Sequence, residues 1–409
     1  MKKHERNTYL NSIDLDEAVE ILLGSLADSK KTEQIGVTAA LGRVSSAPVF
    51  AKLSSPYYNA SAMDGVCVRY EKTASANEKT PLRLKKNTDF LVVDTGDPIS
   101  PPYNAVVMIE DVVEIDDETI EIHSPCSAWQ HVRSVGEDVV VGELIIPSYH
   151  EVRPVDIGAL LAGGIQTLEV IKKSFVTIIP TGTELIENPD EIAEGKIIDS
   201  NSHMFEAMAT EAGAECVRLK PVADDYETIK QTAAAACETS DIVIIGAGSS
   251  AGTEDYTRGI IEEIGELKFH GVAIKPGKPA VFGTAGNACV IGVPGYPVSA
   301  YFVFEYFVAA AIKAHLGLAQ QDKPTVTASL TARVYSSLKH LEFVRVKLGS
   351  VGGRLVASPL SRGAGVTMSL VNADGIVKEP KNTEGLEAGA VVQIELMPRG
   401  GDISKETLI

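Results

Sequence analysis

Lys275 and Lys278 stand three residues apart in Lys-Pro-Gly-Lys-Pro, so proline and glycine place their ammonium groups on an extended turn and not on one helix face. Two such groups on a rigid turn suit a tetrahedral dianion. Residues 246–252 read Gly-Ala-Gly-Ser-Ser-Ala-Gly. Gly246, Gly248 and Gly252 leave backbone N–H groups open, and Ser249 and Ser250 add hydroxyls, a combination that cradles an anion. It is no Walker A loop, because Gly-Lys-Ser/Thr is missing, and no dinucleotide fingerprint. Asp255 follows at once, and a carboxylate beside a phosphate cradle is a common way to hold Mg²⁺. Glu184 ends Thr-Gly-Thr-Glu after an apolar run, where packing does not explain an acid. Asp199, Ser200 and Asn201 precede a helical stretch, where a cap and an anion donor are the same chemistry. Pro294, Gly295 and Pro297 form a tight turn that sets geometry and does no chemistry. Asp64 in Ser-Ala-Met-Asp-Gly and Thr95 in Asp-Thr-Gly-Asp-Pro stand out further upstream, although either turn alone is ordinary. The eight histidines show no metal-ligand spacing, and no Ser/His/Asp or Cys/His nucleophile is legible.

These residues need elements to hold them. From 175 to 323 apolar runs alternate with amphipathic stretches, which predicts a doubly wound parallel sheet. Strands are expected at 175–179, 215–219, 241–245, 272–274, 280–282 and 288–291, and helices at 202–212, 226–237, 254–264 and 298–316. In such a sheet ligands lie beyond the carboxyl ends of the strands, where the glycine loop, the acid and the lysines fall. Residues 53–141 are short alternating strands broken by Pro, Gly, Asn and Asp, a β-rich inserted domain. The insertion divides a helical and linker domain, 1–52 plus 142–174. There Asp14 and Glu17 predict a capping box, and Pro154 and Gly163 bound a second helix. Residues 324–409 return to short strands, a compact barrel or sandwich.

A chain of 409 residues exceeds what one core supports, so several domains are expected. With 37 basic against 55 acidic residues the formal charge is −18, which argues against nucleic acid or an anionic membrane as partner. An anion must then be held by local lysines and amides. Five cysteines, scattered and without Cys-x-x-Cys spacing, predict neither a disulfide framework nor a zinc cluster. The polar start and the lack of a run of ~18 apolar residues predict a soluble, unanchored, cytoplasmic protein.

In order along the chain, Ser61-Ala-Met-Asp-Gly65, Thr95-Gly96, Thr181-Gly-Thr-Glu-Leu185, Asp199-Ser-Asn201, the Gly/Ser loop with Asp255-Tyr256, Lys275-Pro-Gly-Lys-Pro279, Pro294-Gly-Tyr-Pro297, Gly365-Val-Thr-Met-Ser-Leu370 and Ala373-Asp-Gly375 resemble the molybdopterin molybdotransferase family, that is, MoeA and the E domain of gephyrin. The resemblance covers nearly the whole chain. It implies an elongated multidomain protein with a central MogA-like α/β domain, a β-rich insertion and a C-terminal β-barrel-like domain. It implies insertion of molybdate, as substrate, into adenylylated molybdopterin with release of AMP, assisted by Mg²⁺ or another divalent cation on Asp255, Asp224 or Glu184. It also implies a homodimer in which Asp64 and Thr95 come from the partner subunit. The molybdopterin adenylyltransferase and apo-molybdoenzymes would be neighbours in the pathway. The chain departs from the family at Ala247, Thr183 and Tyr296, which leaves tungstate as an alternative oxyanion. The other readings are the related adenylyltransferase and a non-catalytic scaffold of the gephyrin type.

Overall fold

The computed structural model describes residues 12–26, 30–246, 253–320 and 322–397, without the side chains of 253–255. Its contacts divide into two units, residues 31–171 and residues 1–30 with 172–409.

In the first unit Gly65–Val68 lies between Phe90–Val93 and Ala105–Met108, antiparallel to both. A second sheet places Thr119–Ile122 between Leu82–Lys85 and Val112–Asp116. The inward positions of both sheets, among them Val66, Val68, Leu84, Phe90, Val107 and Ile122, form one core, as alternation along strands requires. Thr32–Gly36 pairs with Thr167–Ile171, and Val49–Phe50 with Leu144–Ile146, so the chain leaves and re-enters the unit at adjacent places. The expected helix is Pro154–Ala162, with proline in its first turn. Asp156 caps that helix, accepting from the Arg153 N–H at 2.8 Å, Nε at 3.0 Å and Nη2 at 2.9 Å. His150 Nε2 lies 2.7 Å from the same carboxylate.

The Arg153 guanidinium, with His150 behind it, holds the Asp156 carboxyl well below the usual range. A depressed carboxyl contributes stability that is fully present above its unfolded value near ~4 and is lost as pH falls below that value and through the lower folded one. Asp156→Asn is expected to cost roughly 2 kcal/mol at neutral pH, the exposed Arg153 limiting the effect. It should also flatten acid unfolding of this unit below pH ~4, which hydrogen exchange over 31–171 would measure.

In the second unit a six-stranded sheet runs in the order Glu215–Arg218, Phe175–Pro180, Ile242–Gly246, Ala288–Val293, Val281–Ala285, Glu266–His270. The first four are parallel, as expected. The last two pairings are antiparallel, so Val281–Ala285 runs against the other five strands, a correction to the wholly parallel sheet. The cause is the Gly286-Asn287 turn, with Gly286 at φ 60°, which closes a tight hairpin. Residues 272–274 do not add a strand to this sheet. Instead Ile274–Lys275 pairs with Leu341–Val351 of the C-terminal sheet, and Glu266–His270 is the edge strand. Helices Tyr226–Thr239 and Thr253–Ile264 contribute Ile229, Ala233, Ile260 and Ile261 to a core shared with Val243 and Ile245. Phe205 of Asn201–Glu211 stacks on Phe304 at 5.6 Å.

Pro297–His315 is the one helix among the described residues long and apolar enough to cross a membrane, although Glu305 and Lys313 interrupt it. Most of it is buried, and Phe302 and Tyr306 stack on Phe343 at 4.6 and 5.0 Å. The C-terminal strands Leu341–Val351, Arg354–Pro359, Thr325–Leu330, Val391–Leu396 and Gly375–Glu379 pair in that order, and the last returns to the first, so the barrel closes. Leu15–Gly24 packs in this unit, with Ile13 N–H donating to Gly271 O at 3.2 Å. Its expected capping box is not made: Asp14 is the first cap residue, but its side chain makes no capping bond and pairs with Lys381.

Candidate functional site

The loop after Phe175–Pro180 is tied to the end of Ile242–Gly246 twice, since Thr181 donates to Gly246 O from its N–H at 3.0 Å and from its hydroxyl at 2.7 Å. Those two strand tips floor a cavity of about 360 Å³. Glu184, Asp199, Ser200, Gly246, Pro294, Gly295 and Pro297 all line it, so seven of the sequence-predicted residues share one space. Leu185, Ile197 and Ile198 add an apolar wall, which suits a flat ring. Asp199 is buried and accepts from the Ser202 N–H at 3.1 Å and from the Ser202 hydroxyl. Asp199, not Ser200, therefore caps the Asn201–Glu211 helix. The Asn201 side chain donates to Gly295 O at 2.7 Å, joining the helix start to the Pro294–Pro297 turn.

Beside this cavity Gly182 N–H donates to Val222 O at 3.0 Å, bringing the Glu184 turn to the segment that carries Asp224. Burial first, and the Glu184 charge second, push the Asp224 carboxyl up. Among the described residues its Oδ1 is buried with no partner. A buried acceptor beside a second carboxylate fits a divalent cation, which takes one or two carboxylates and completes its shell with waters and phosphate oxygens. Among the described residues no group of three or more His, Cys, Asp or Glu side chains gathers as a metal site. The Asp255 side chain lies outside the described residues, as do Gly248, Ser249, Ser250 and Gly252.

Lys275 and Lys278 line a different cavity, of about 520 Å³, and Glu342, Arg345 and Arg362 from the barrel line it with them. Arg345 is 1% exposed. Its partners are all neutral: Ser369 Oγ at 3.2 Å, and the carbonyls of Phe343, Ser361 and Gly363 at 3.3, 2.7 and 3.3 Å. Burial pulls its guanidinium down to about 10. Four cations against one carboxylate give the cavity a net positive lining in a chain of net charge −18. The barrel loop joins the two spaces, because Ala364 lines the cationic cavity while Gly365 and Thr367 line the other.

In the 31–171 unit Asp64 and Thr95 meet across 31 residues of chain. Asp64 Oδ1 accepts from the Thr95 N–H at 2.7 Å and its hydroxyl at 2.8 Å. These two bonds hold the exposed Asp64 carboxyl below the usual carboxylate range. The surrounding loops are fastened by Ser61 N–H to Asp97 O and Gly96 N–H to Ser61 O, both at 2.8 Å. Arg345, Arg362, Glu342 and Asp224's unpaired oxygen were not legible as a set. The available signal was a pair of opposite charges three positions apart in an otherwise largely apolar strand, Glu342 and Arg345.

Fold and cavities define a multidomain protein whose α/β module carries a strand-tip cavity and whose barrel completes a cationic one. Residues 13–164 match the MoeA N-terminal region (domain I and II), residues 177–314 a "probable molybdopterin binding domain", and residues 327–397 the MoeA C-terminal region (domain IV). The chain is 32% identical over 408 residues to a protein of Methanocaldococcus jannaschii provisionally named for molybdopterin biosynthesis, covering 95% of this chain and 98% of that one. It is 28% identical over 396 residues to the molybdopterin molybdenumtransferase of Haemophilus influenzae, covering 94% and 98%. A crystal structure of the molybdopterin biosynthesis MoeA protein of Pyrococcus horikoshii superposes with a TM-score of 0.80 at 29% identity, covering 94% of this chain and 99% of that one. The chain belongs to the MoeA family.

Proposed function

We propose that the protein is a transferase that inserts molybdate into adenylylated molybdopterin and releases AMP, a last step of molybdenum cofactor synthesis. The observation that carries this reading is the pair of cavities sharing the 364–367 loop, one apolar-walled with carboxylates at its edge, the other cationic. The pterin and nucleotide occupy the strand-tip cavity, against Leu185, Ile197 and Ile198. Lys275, Lys278 and Arg345 hold the molybdate dianion by its oxygens, and the fixed spacing of their donors presents its metal to the pterin sulfurs. Asp224 and Glu184, with Asp255, would hold Mg²⁺, whose charge offsets that developing on the departing AMP. Asp64, held in place by its Thr95 bonds, orients the pterin or accepts a proton, and it does so from the partner subunit of a cytoplasmic homodimer.

The test is insertion kinetics with purified protein, adenylylated molybdopterin, Mg²⁺ and either molybdate or tungstate. Cofactor and AMP should appear together, and only with the oxyanion present. Asp224→Asn should lower the rate about 10²-fold at fixed Mg²⁺ and abolish the rise in melting temperature that Mg²⁺ gives the wild type. Adenylylation of molybdopterin from ATP, without insertion, would sink the reading in favour of the adenylyltransferase. A folded protein with neither activity would favour a scaffold.

A further inference from the structure

The cationic cavity holds one acid that anion binding does not call for. Glu342 sits at the start of Leu341–Val351 with 1% exposure, and Glu379, at 0%, lies directly opposite it across the antiparallel ladder. Like charges directly opposite each other destabilise a strand pair. A buried carboxylate is costly unless cations and donors meet it. Val344, Val346 and Val377, on the same strand parity, belong to the barrel core, so the two acids close one end of that core. A sequence that breaks local rules at such a cost marks a functional position.

The two acids are treated differently. Burial pushes the Glu379 carboxyl up; its Oε1 accepts from the Thr383 hydroxyl at 3.2 Å, and among the described residues its Oε2 has no partner. Glu342 takes the backbone donor and the two cations. Its Oε1 accepts from the Ser337 N–H and hydroxyl at 2.8 Å each and faces Lys275 Nζ at 3.4 Å, while Oε2 pairs with Arg362. Lys275 belongs to the lysine turn and Arg362 to the barrel loop, and Arg345 fastens that loop again through Ser361 O and Gly363 O.

We propose that Glu342 is a positioning residue for the oxyanion cavity. By holding Lys275 and Arg362 on one buried carboxylate, it fixes the lysine turn against the barrel loop and spaces the cations for a tetrahedral dianion. This rests on reading that cavity as the oxyanion's site. Glu342's own charge opposes the dianion, so it lowers affinity in return for geometry. Removing the charge should therefore separate binding from turnover.

The experiment compares full-length wild type, Glu342→Gln and Glu342→Asp by calorimetric titration with molybdate and with sulfate, and by insertion kinetics. Glu342→Gln keeps the shape and an acceptor for Ser337 but deletes the charge. Both anions should bind about tenfold tighter, while kcat falls at least about tenfold because the lysine is no longer held. Glu342→Asp keeps the charge but withdraws it by one methylene, so kcat falls and neither anion tightens. A merely structural glutamate would lower melting temperature without this split. A folded Glu342→Gln with unchanged kcat, or with unchanged or weakened anion binding, overturns the proposal. Should that variant not fold, a Glu342→Asp enzyme with wild-type kcat overturns it. A wild type that binds neither anion sinks the reading of the cavity and this proposal with it. One that binds molybdate while both variants behave as wild type sinks only the role of Glu342.

Discussion

Lys275→Ala is expected to reduce molybdate insertion by about 10²- to 10³-fold, the cost of losing one fixed charge at a centre that depends on it. The fold should survive. Lys275 is more than half exposed in its pair with Glu342, and Glu342 keeps Arg362 and both Ser337 donors when the ammonium is gone. The stability loss should stay near ~1 kcal/mol, as for an exposed ion pair. The same variant tests the proposed dimer. Asp64→Ala should be inactive as well, since it removes the carboxylate that the Thr95 N–H and hydroxyl hold in place. If each site takes Asp64 from one subunit and Lys275 from the other, a mixed dimer of the two inactive proteins contains one wholly native site. Co-refolding them should then restore up to about a quarter of the wild-type rate, because half the random dimers are mixed and each has one of two sites intact. Sites built within one subunit would stay inactive in every combination, and continued inactivity of the mixture would exclude the shared arrangement.

Much of this site was legible because its residues sit where a strand pattern stops. Asp64 and Thr95 each interrupt an apolar run with an acid or hydroxyl beside glycine, and the sheet brings those two interruptions together. Glu184, Gly246 and Pro294 lie at or just past the tips of neighbouring strands, so a parallel order places them in one cavity, and Asp199 joins them at the start of the following helix. The hairpin at Gly286-Asn287 was not foreseen, although two residues of that type between apolar runs signal one. The parallel expectation came from the strands before it, and pattern alone does not state strand direction.

The cationic cavity was harder. Lys275 and Lys278 were visible, but their alignment with Glu342 depends on a pairing between Ile274–Lys275 and a barrel strand more than sixty residues away, and no local signal encodes that register. Arg345 carried no signal of its own in a strand of mixed apolar and charged residues. It is buried because the Pro297–His315 helix covers that face, stacking Phe302 and Tyr306 on Phe343 two positions before it. Tertiary covering of one sheet face is what alternation cannot report. The capping box at Asp14 failed for a related reason, since Lys381 from the end of the barrel takes the carboxylate that a local rule assigned to the helix.

Gly65→Ala is expected to be the most damaging single substitution next to the Asp64–Thr95 pair, and to act through the backbone. A Cβ at Gly65 would lie 2.0 Å from the Val107 carbonyl oxygen and 3.0 Å from the Ile109 N–H nitrogen. Neither is the end of a flexible side chain, so the strand itself must shift. Gly65–Val68 is the central strand of three, hydrogen-bonded on both sides, and a shift strains the ladders to Phe90–Val93 and Ala105–Met108 together. The bond from Ile109 N–H to Asp64 O, 2.9 Å in the wild type, is the first to go. The expected cost is roughly 3–5 kcal/mol, at the upper end for a point mutation. Because the chain has two units, a single melting temperature would blur it. Hydrogen exchange should show protection lost over 65–68 and 105–108 and kept in the 172–409 sheet. Asp64→Ala is the informative comparison. It removes the same carboxylate from Thr95 without placing an atom against Val107, so it should lose activity with exchange close to wild type. If Gly65→Ala kept native exchange and activity, the strand would have room that the 2.0 Å approach denies, and the placement of Asp64 by this turn would be wrong.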